Sequence, residues 1–360
     1  QLHAPGSGTQ VASAISMQVS RALLILLYSL LYLNQVAAVE EEEFSFNVEE
    51  FEPKTFEFSG YFEAEPEYAR TAQEAALYKL QFFDLDPETE IRRLTGTLEL
   101  EGKWRKGIAN INFHTHSEIV WDYSGEDQEH ALYEGFLSLQ PSPGLALDLG
   151  KKAMRWGKGY AWNPVTFVER AKDAGDPDLS REGYWVVAAD WVKRFDGTLQ
   201  TLALTPLILP VYDDINEDFG ETGHINLAAK LYLLYRDIDF DFMFLSEGSR
   251  SARVGMDFSK NLAPNFEIHG EFAYFSEAVH PTVTQDCKRG KPRLEGETSY
   301  LLGTRYRTGN DITLIWEYYF NGLGNEKNDQ QQFYRCVHQA WEVGDQDLFD
   351  QLQIGKDLDT

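Results

Sequence analysis

The chain has 360 residues, 43% hydrophobic and 14% aromatic, enough for a sizeable folded body and too aromatic for a solvated coil. Its 58 Asp and Glu outnumber its 32 Lys and Arg, and the net charge of -26 repels phosphate backbones, so no nucleic acid partner is expected. A mean hydropathy of -0.40 and a single long apolar run argue against a bundle of membrane helices, but not against membrane strands, whose signal lies in alternation.

Residues 1–16 read as a non-native leader, because a neutral stretch precedes the first methionine. Residues 17–38 have the parts of a secretory signal peptide: Met17, the cation Arg21, an apolar run from Ala22 to Leu33, and small residues at Val36, Ala37 and Ala38 for cleavage. An uncleaved anchor is the alternative, although the run is short for a bilayer. No cysteine follows the cleavage region, so a lipid-anchored start is not expected. Residues 39–55, opening on Glu40 to Glu43, form an acidic N-terminal segment.

From residue 56 to 321 the dominant pattern is alternation. Leu94, Leu98 and Leu100 interleave with Thr95, Thr97, Glu99 and Glu101. In DIDFDFMF, Ile238, Phe240, Phe242 and Phe244 share one face, and Asp237, Asp239 and Asp241 share the other. The same rhythm returns at Val254–Ser259, Phe266–Tyr274 and Asp311–Phe320. Period two means strands, with apolar side chains on one face and polar ones on the other. Runs of about ten residues suit a tilted strand crossing a bilayer. Roughly a dozen are expected, with short turns alternating with longer polar loops, the habit of a membrane barrel whose wall encloses a polar lumen. Residues 69–83 read either as a short helix in a loop or as a loop entering a strand.

One strand changes character midway. Leu145, Leu147 and Leu149 alternate with Asp148, Gly150 and Lys152, and the chain then runs on as Arg155, Trp156, Gly157, Lys158, Gly159, Tyr160 and Trp162. Glycine permits backbone shapes that a strand does not. A bulge is therefore expected here, after which the chain leaves the wall and folds over or into the lumen. Asp148, Lys152, Arg155 and Lys158 are candidate pore-lining residues. Two readings of the cations stand side by side: a basic constriction that attracts solutes, or an ion-pair network bracing an acidic interior. Trp156, Tyr160 and Trp162 are candidate interface aromatics, which otherwise pack the fold-in.

His114, His116 and Glu118 lie on one strand face as H-x-H-x-E and join the pore-lining candidates. Imidazole and carboxylate at alternate positions can grip a metal, but no distant Glu and later His complete a metal-enzyme set, so they read as a polar lumenal face. No G-x-S-x-G, H-E-x-x-H, Walker loop or dinucleotide fingerprint is present, and neither an enzyme, a metal nor a cofactor is expected.

Residues 322–360 read as a long polar loop with a helical segment, in which Phe333, Val337, Ala340 and Trp341 follow helical spacing. The polar ending IGKDLDT lacks a closing amphipathic strand, so the barrel is expected to be incomplete at its C-terminus. Cys287 and Cys336 are the only cysteines, and after export they either pair or never meet.

The stretch LDLGKKAMRWGKGYAWNPVTFVER, the loop AKDAGDPDLSREGYW and the stretch YLLGTRYRTGNDITLIWEYYFNG resemble a porin-like outer-membrane barrel family of Gram-negative bacteria. There a G-[RK]-x4-W-G pattern ends a strand and leads to an N-P turn, here Gly150, Lys151, Trp156, Gly157 and Asn163-Pro164. The resemblance implies insertion among outer-membrane lipids and a pore, but no particular solute and no oligomeric state. The expectation is an all-β antiparallel transmembrane β-barrel, exported by its signal peptide, that passes small polar or charged solutes passively. A non-transporting barrel serving as scaffold of an envelope complex is one alternative, and a secreted carbohydrate-binding β-sandwich is the other.

Overall fold

The computed structural model describes residues 54–83, 89–170 and 179–344. The expected leader, the signal peptide, most of the acidic segment and the last sixteen residues lie outside them. Thirteen strands account for most of the described chain: β1 (Phe56–Arg70), β2 (Glu90–Lys106), β3 (Ala109–Asp122), β4 (Gly125–Ser142), β5 (Leu145–Lys152), β6 (Tyr184–Arg194), β7 (Leu199–Val211), β8 (His224–Tyr235), β9 (Ile238–Leu245), β10 (Arg253–Ala263), β11 (Phe266–His280), β12 (Arg293–Arg307) and β13 (Thr313–Phe320). Helix α1 (Ala76–Gln81) lies between β1 and β2, and helix α2 (Lys327–Val343) follows β13.

Each strand pairs antiparallel with its sequence neighbours, giving one sheet in the order β1 to β13. A single meander of thirteen strands is the wall of a porin-like β-barrel, and it rules out a two-sheet sandwich. The pleat decides which face each residue takes. On β5, Leu149 is 57% exposed while its neighbour Asp148 is 5% exposed. On β9, Phe242 and Phe244 are exposed, whereas Asp241, Met243 and Leu245 are buried. The outer face of an ordinary soluble sheet would carry the charges. Here it carries Leu, Phe, Trp and Val, as a wall solvated by hydrocarbon requires.

The connections are unequal. On one side, β2–β3, β4–β5, β8–β9, β10–β11 and β12–β13 join through tight turns. At β8–β9 the turn is Arg236-Asp237, both at positive φ (52° and 58°), the geometry that matches the twist of a two-residue hairpin. On the other side the links are mostly long, the longest spanning residues 153–183, with β3–β4 closing in two residues at Tyr123-Ser124.

A small cap forms on the long-loop side. Ala76 and Leu80 of α1 pack against Cys336, Val337 and Ala340 of α2 and against Cys287 of the β11–β12 loop. Cys287 and Cys336 are joined by a disulfide, so of the two readings of these cysteines the structure shows the paired one. Lys79 Nζ lies 3.0 Å from His338 Nδ1. Because α1 hangs between the first two strands and α2 follows the last, the cap brings the two ends of the sheet together. Among the described residues, β1 and β13 each pair on one side alone.

Candidate functional site: a segment anchored inside the wall

Residues 153–170 leave β5 and cross the inner face of the sheet. The departure is built into the glycines. Gly157 has φ +94°, and a Cβ there would lie 2.8 Å from Glu271 Oε1. A Cβ on Gly159 would lie 2.0 Å from the Trp162 carbonyl oxygen. No other residue type fits either place without displacing backbone or anchor.

Carboxylates of the wall hold the segment by its backbone. Glu271 of β11 accepts from the amides of Lys158 (2.5 Å) and Gly159 (2.6 Å), and from Asn163 Nδ2 at 3.1 Å. Two strands further on, Glu317 of β13 accepts from the amides of Tyr160 (2.6 Å) and Ala161 (2.9 Å), and its Oε1 lies 3.0 Å from His269 Nε2. Consecutive N–H groups converging on one anion form short, charge-assisted bonds, each worth roughly 1.5–3 kcal/mol.

Side chains add a second set of anchors. Lys158 Nζ lies 2.9 Å from Asp241 and 3.9 Å from Asp257. Asp241, Asp257 and Glu271 face one another in register on β9, β10 and β11, so the ammonium enters a row of three inward carboxylates. Burial opposes the charge on Lys158, but the hydrogen bond and charge of Asp241, with Asp257 and Asp239 beyond, raise its pKa overall. A raised lysine pKa keeps this anchor intact at neutral pH and releases it only at alkaline pH, above the ordinary lysine range. Lys152 pairs with Asp148 on the strand that precedes the segment. Lys151 pairs with Glu182, which Arg170 also reaches at 3.2 Å.

At the far end of the same connection, Arg181 forms a two-pronged pair with Glu99 of β2. Glu99 also meets His114 Nε2 at 2.7 Å and His116 Nδ1 at 3.3 Å. Glu118 stands 4.0 Å from His116 Nε2. Among the described residues no three or more His, Cys, Asp or Glu side chains are arranged to hold a metal ion. The histidines of H-x-H-x-E are thus joined through a carboxylate that sequence spacing did not single out.

Of the cations proposed from sequence, Lys152 and Lys158 are engaged with wall carboxylates. Arg155 is exposed and has no ion pair with a described residue. The aromatic assignment needs correction. Trp156 is 3% exposed and belongs to the interior cluster with Met154, Val165 and Phe167, which removes it from any membrane interface. Tyr160 stands edge-on to His269 and Trp162 stacks on Tyr319, both of the inner face. Their segment turned inward, so their rings followed it.

The inner face is also less hydrophilic than alternation suggests. Tyr184, Val186 and Ala188 of β6, Leu207, Leu209 and Val211 of β7, and Leu245 and Phe275 beyond them pack against Val165, Phe167 and Val168. A segment brought inside the wall needs an apolar bed as well as ion pairs, and this is its bed.

No protein-family profile matches the chain, and no curated protein does. Similar solved structures include OmpF of Salmonella typhi, at 8% identity over 73% of this chain and 78% of that one, with a TM-score of 0.44. A Rhodopseudomonas blastica porin is 8% identical over 74% of this chain and 95% of that one, with a TM-score of 0.37. The FrpB iron transporter of Neisseria meningitidis is 9% identical over 75% of this chain and 49% of that one, with a TM-score of 0.35. At such similarity, the strand pairings of the chain itself define its fold.

Proposed function

We propose that the protein is an outer-membrane β-barrel channel through which small polar or charged solutes diffuse, with no bond-making chemistry. The observation that carries this reading is the anchored segment. A wall apolar on the outside holds, on its inside, a stretch of chain pinned by Glu271, Glu317 and Asp241, and in the channel reading this stretch is the constriction. Surrounding lipid and an aqueous solute are the partners this requires. Asp148, Lys152, Lys158, His114, His116 and Glu118 serve as the braced polar lining. Arg155, exposed and without a carboxylate among the described residues, is the charge of this segment free to act on a passing ion.

The test is single-channel recording of the full-length protein in planar bilayers. Discrete conductance steps are expected. Arg155→Ala should move the reversal potential in a salt gradient toward cation preference, leaving the step frequency unchanged. A folded, inserted protein that gives no steps would favour a scaffold role and overturn the channel reading.

A further inference from the structure

Among the described arginines that meet no carboxylate, Arg250 and Arg253 are the two that are not exposed. Arg170, Arg181, Arg293, Arg305 and Arg307 each meet a carboxylate within 4.0 Å. Arg250, in the β9–β10 loop, and Arg253, the first residue of β10, meet none among the described residues. The other arginines without an acid among the described residues, such as Arg155, Arg194 and Arg236, are exposed to solvent, so a half-buried neighbouring pair departs from the pattern.

Both are held on aromatic supports at the long-loop end of the inner face. The Arg250 guanidinium lies 4.1 Å from the centre of the Phe219 ring, and its Nε donates to the Phe219 carbonyl. The Arg253 guanidinium lies 5.1 Å from the Phe275 ring. Its register partners Leu245 and Phe275 are buried on the inner face, which fixes Arg253 to that side. Arg253 Nε is buried and has no hydrogen-bond partner, although the residue as a whole stays partly accessible. The two charges are close enough to repel each other, and the nearby Arg170 is already paired with Glu182 and Asp218. Burying a guanidinium unpaired costs free energy, and so does placing a second beside it. Rings beneath the cations recover part of this cost, and Arg250 also has the Phe219 carbonyl and the Tyr184 hydroxyl, but Arg253 Nε is left unused.

We propose that Arg250 and Arg253 form a binding site for a small oxyanion solute, a carboxylate or phosphate, on the inner wall. A guanidinium offers a planar fork of donors that matches two oxygens of such a group, and the aromatic supports fix the fork in advance. The site faces away from the hydrocarbon side, so its ligand comes from solution. The proposal rests on the channel reading for how the anion arrives, but the binding itself is measured without a membrane.

The experiment is calorimetric titration of the full-length protein in detergent with inorganic phosphate and, separately, with succinate, at constant ionic strength set by chloride. Saturable binding of at least one is expected. Arg253→Gln should weaken it by about tenfold or more, as loss of charge-assisted hydrogen bonds implies, and Arg253→Lys should restore it only in part. Arg194→Ala, at the exposed tight-turn end of β6, should bind as the native protein does. Strand circular dichroism and oxidation of the Cys287–Cys336 pair report whether each variant is folded. If Arg253→Gln does not fold, thermal stabilisation of the native protein by phosphate or succinate over matched chloride takes its place. Absence of saturable binding or stabilisation by both anions would overturn the proposal, as would unchanged binding by folded Arg253→Gln. Channel steps seen without anion binding would overturn this site alone, and anion binding without steps would overturn the channel alone.

Discussion

At the scale of single residues, the decisive features are two glycines and two glutamates. Gly157 and Gly159 let the backbone turn its amides toward the wall, and Glu271 and Glu317 accept those amides in pairs. Gly157→Ala places a Cβ in a positive-φ conformation against Glu271 Oε1, at a cost of roughly 1–2 kcal/mol before the lost hydrogen bonds are counted. Glu271→Gln keeps the shape and removes the charge. Both changes should release the segment without unfolding the sheet. Limited trypsin digestion checks this, because cleavage after Arg155 and Lys158 should rise in both variants while the strands remain intact. Digestion identical to that of the native protein would mean the carboxylate is not an anchor. The glycines of this stretch were legible from sequence, because alternation breaks beside them. The glutamates were not, since both lie more than a hundred positions away and the chain is crowded with acids.

At the scale of elements, the strands were the most readable part. DIDFDFMF names its own two faces, and β9 follows it with the phenylalanines outward and Asp239 and Asp241 inward. The apolar bed under the segment was hidden for a related reason. In β7, LALTPLILPV is apolar on both faces, one toward hydrocarbon and one toward Phe167 and Val168, so alternation carries no sign there. The cap was only partly readable: helical spacing marks α2, but the pairing of Cys287 with Cys336 depends on tertiary placement. That bond spans 49 residues and, by chain entropy, contributes roughly 4 kcal/mol to holding the cap. Reduction should therefore free α2 from α1 and from the β11–β12 loop while leaving the thirteen strands paired. Hydrogen exchange read by mass spectrometry should show faster exchange in residues 76–82 and 327–343 and no change in β9–β11. Loss of protection throughout the sheet would contradict an independent cap.

At the scale of the whole molecule, the sheet reverses the usual order of solvation. Its exposed face is apolar and its concave face holds ion pairs, buried carboxylates and a folded-in segment. Only a hydrocarbon solvent makes that arrangement favourable, because in water each exposed Leu or Phe forfeits the free energy that burial would gain. The most direct measurement uses nitroxide labels on single introduced cysteines at Leu149, Phe242 and Leu302 on the outside and at Lys230 on the inside, in the full-length protein reconstituted into bilayers. All native cysteines among the described residues are paired, so the labels are specific. The account predicts that the outer three are relaxed strongly by oxygen and weakly by a water-soluble nickel chelate, with Lys230 showing the reverse. Chelate access equal at all four positions would contradict it.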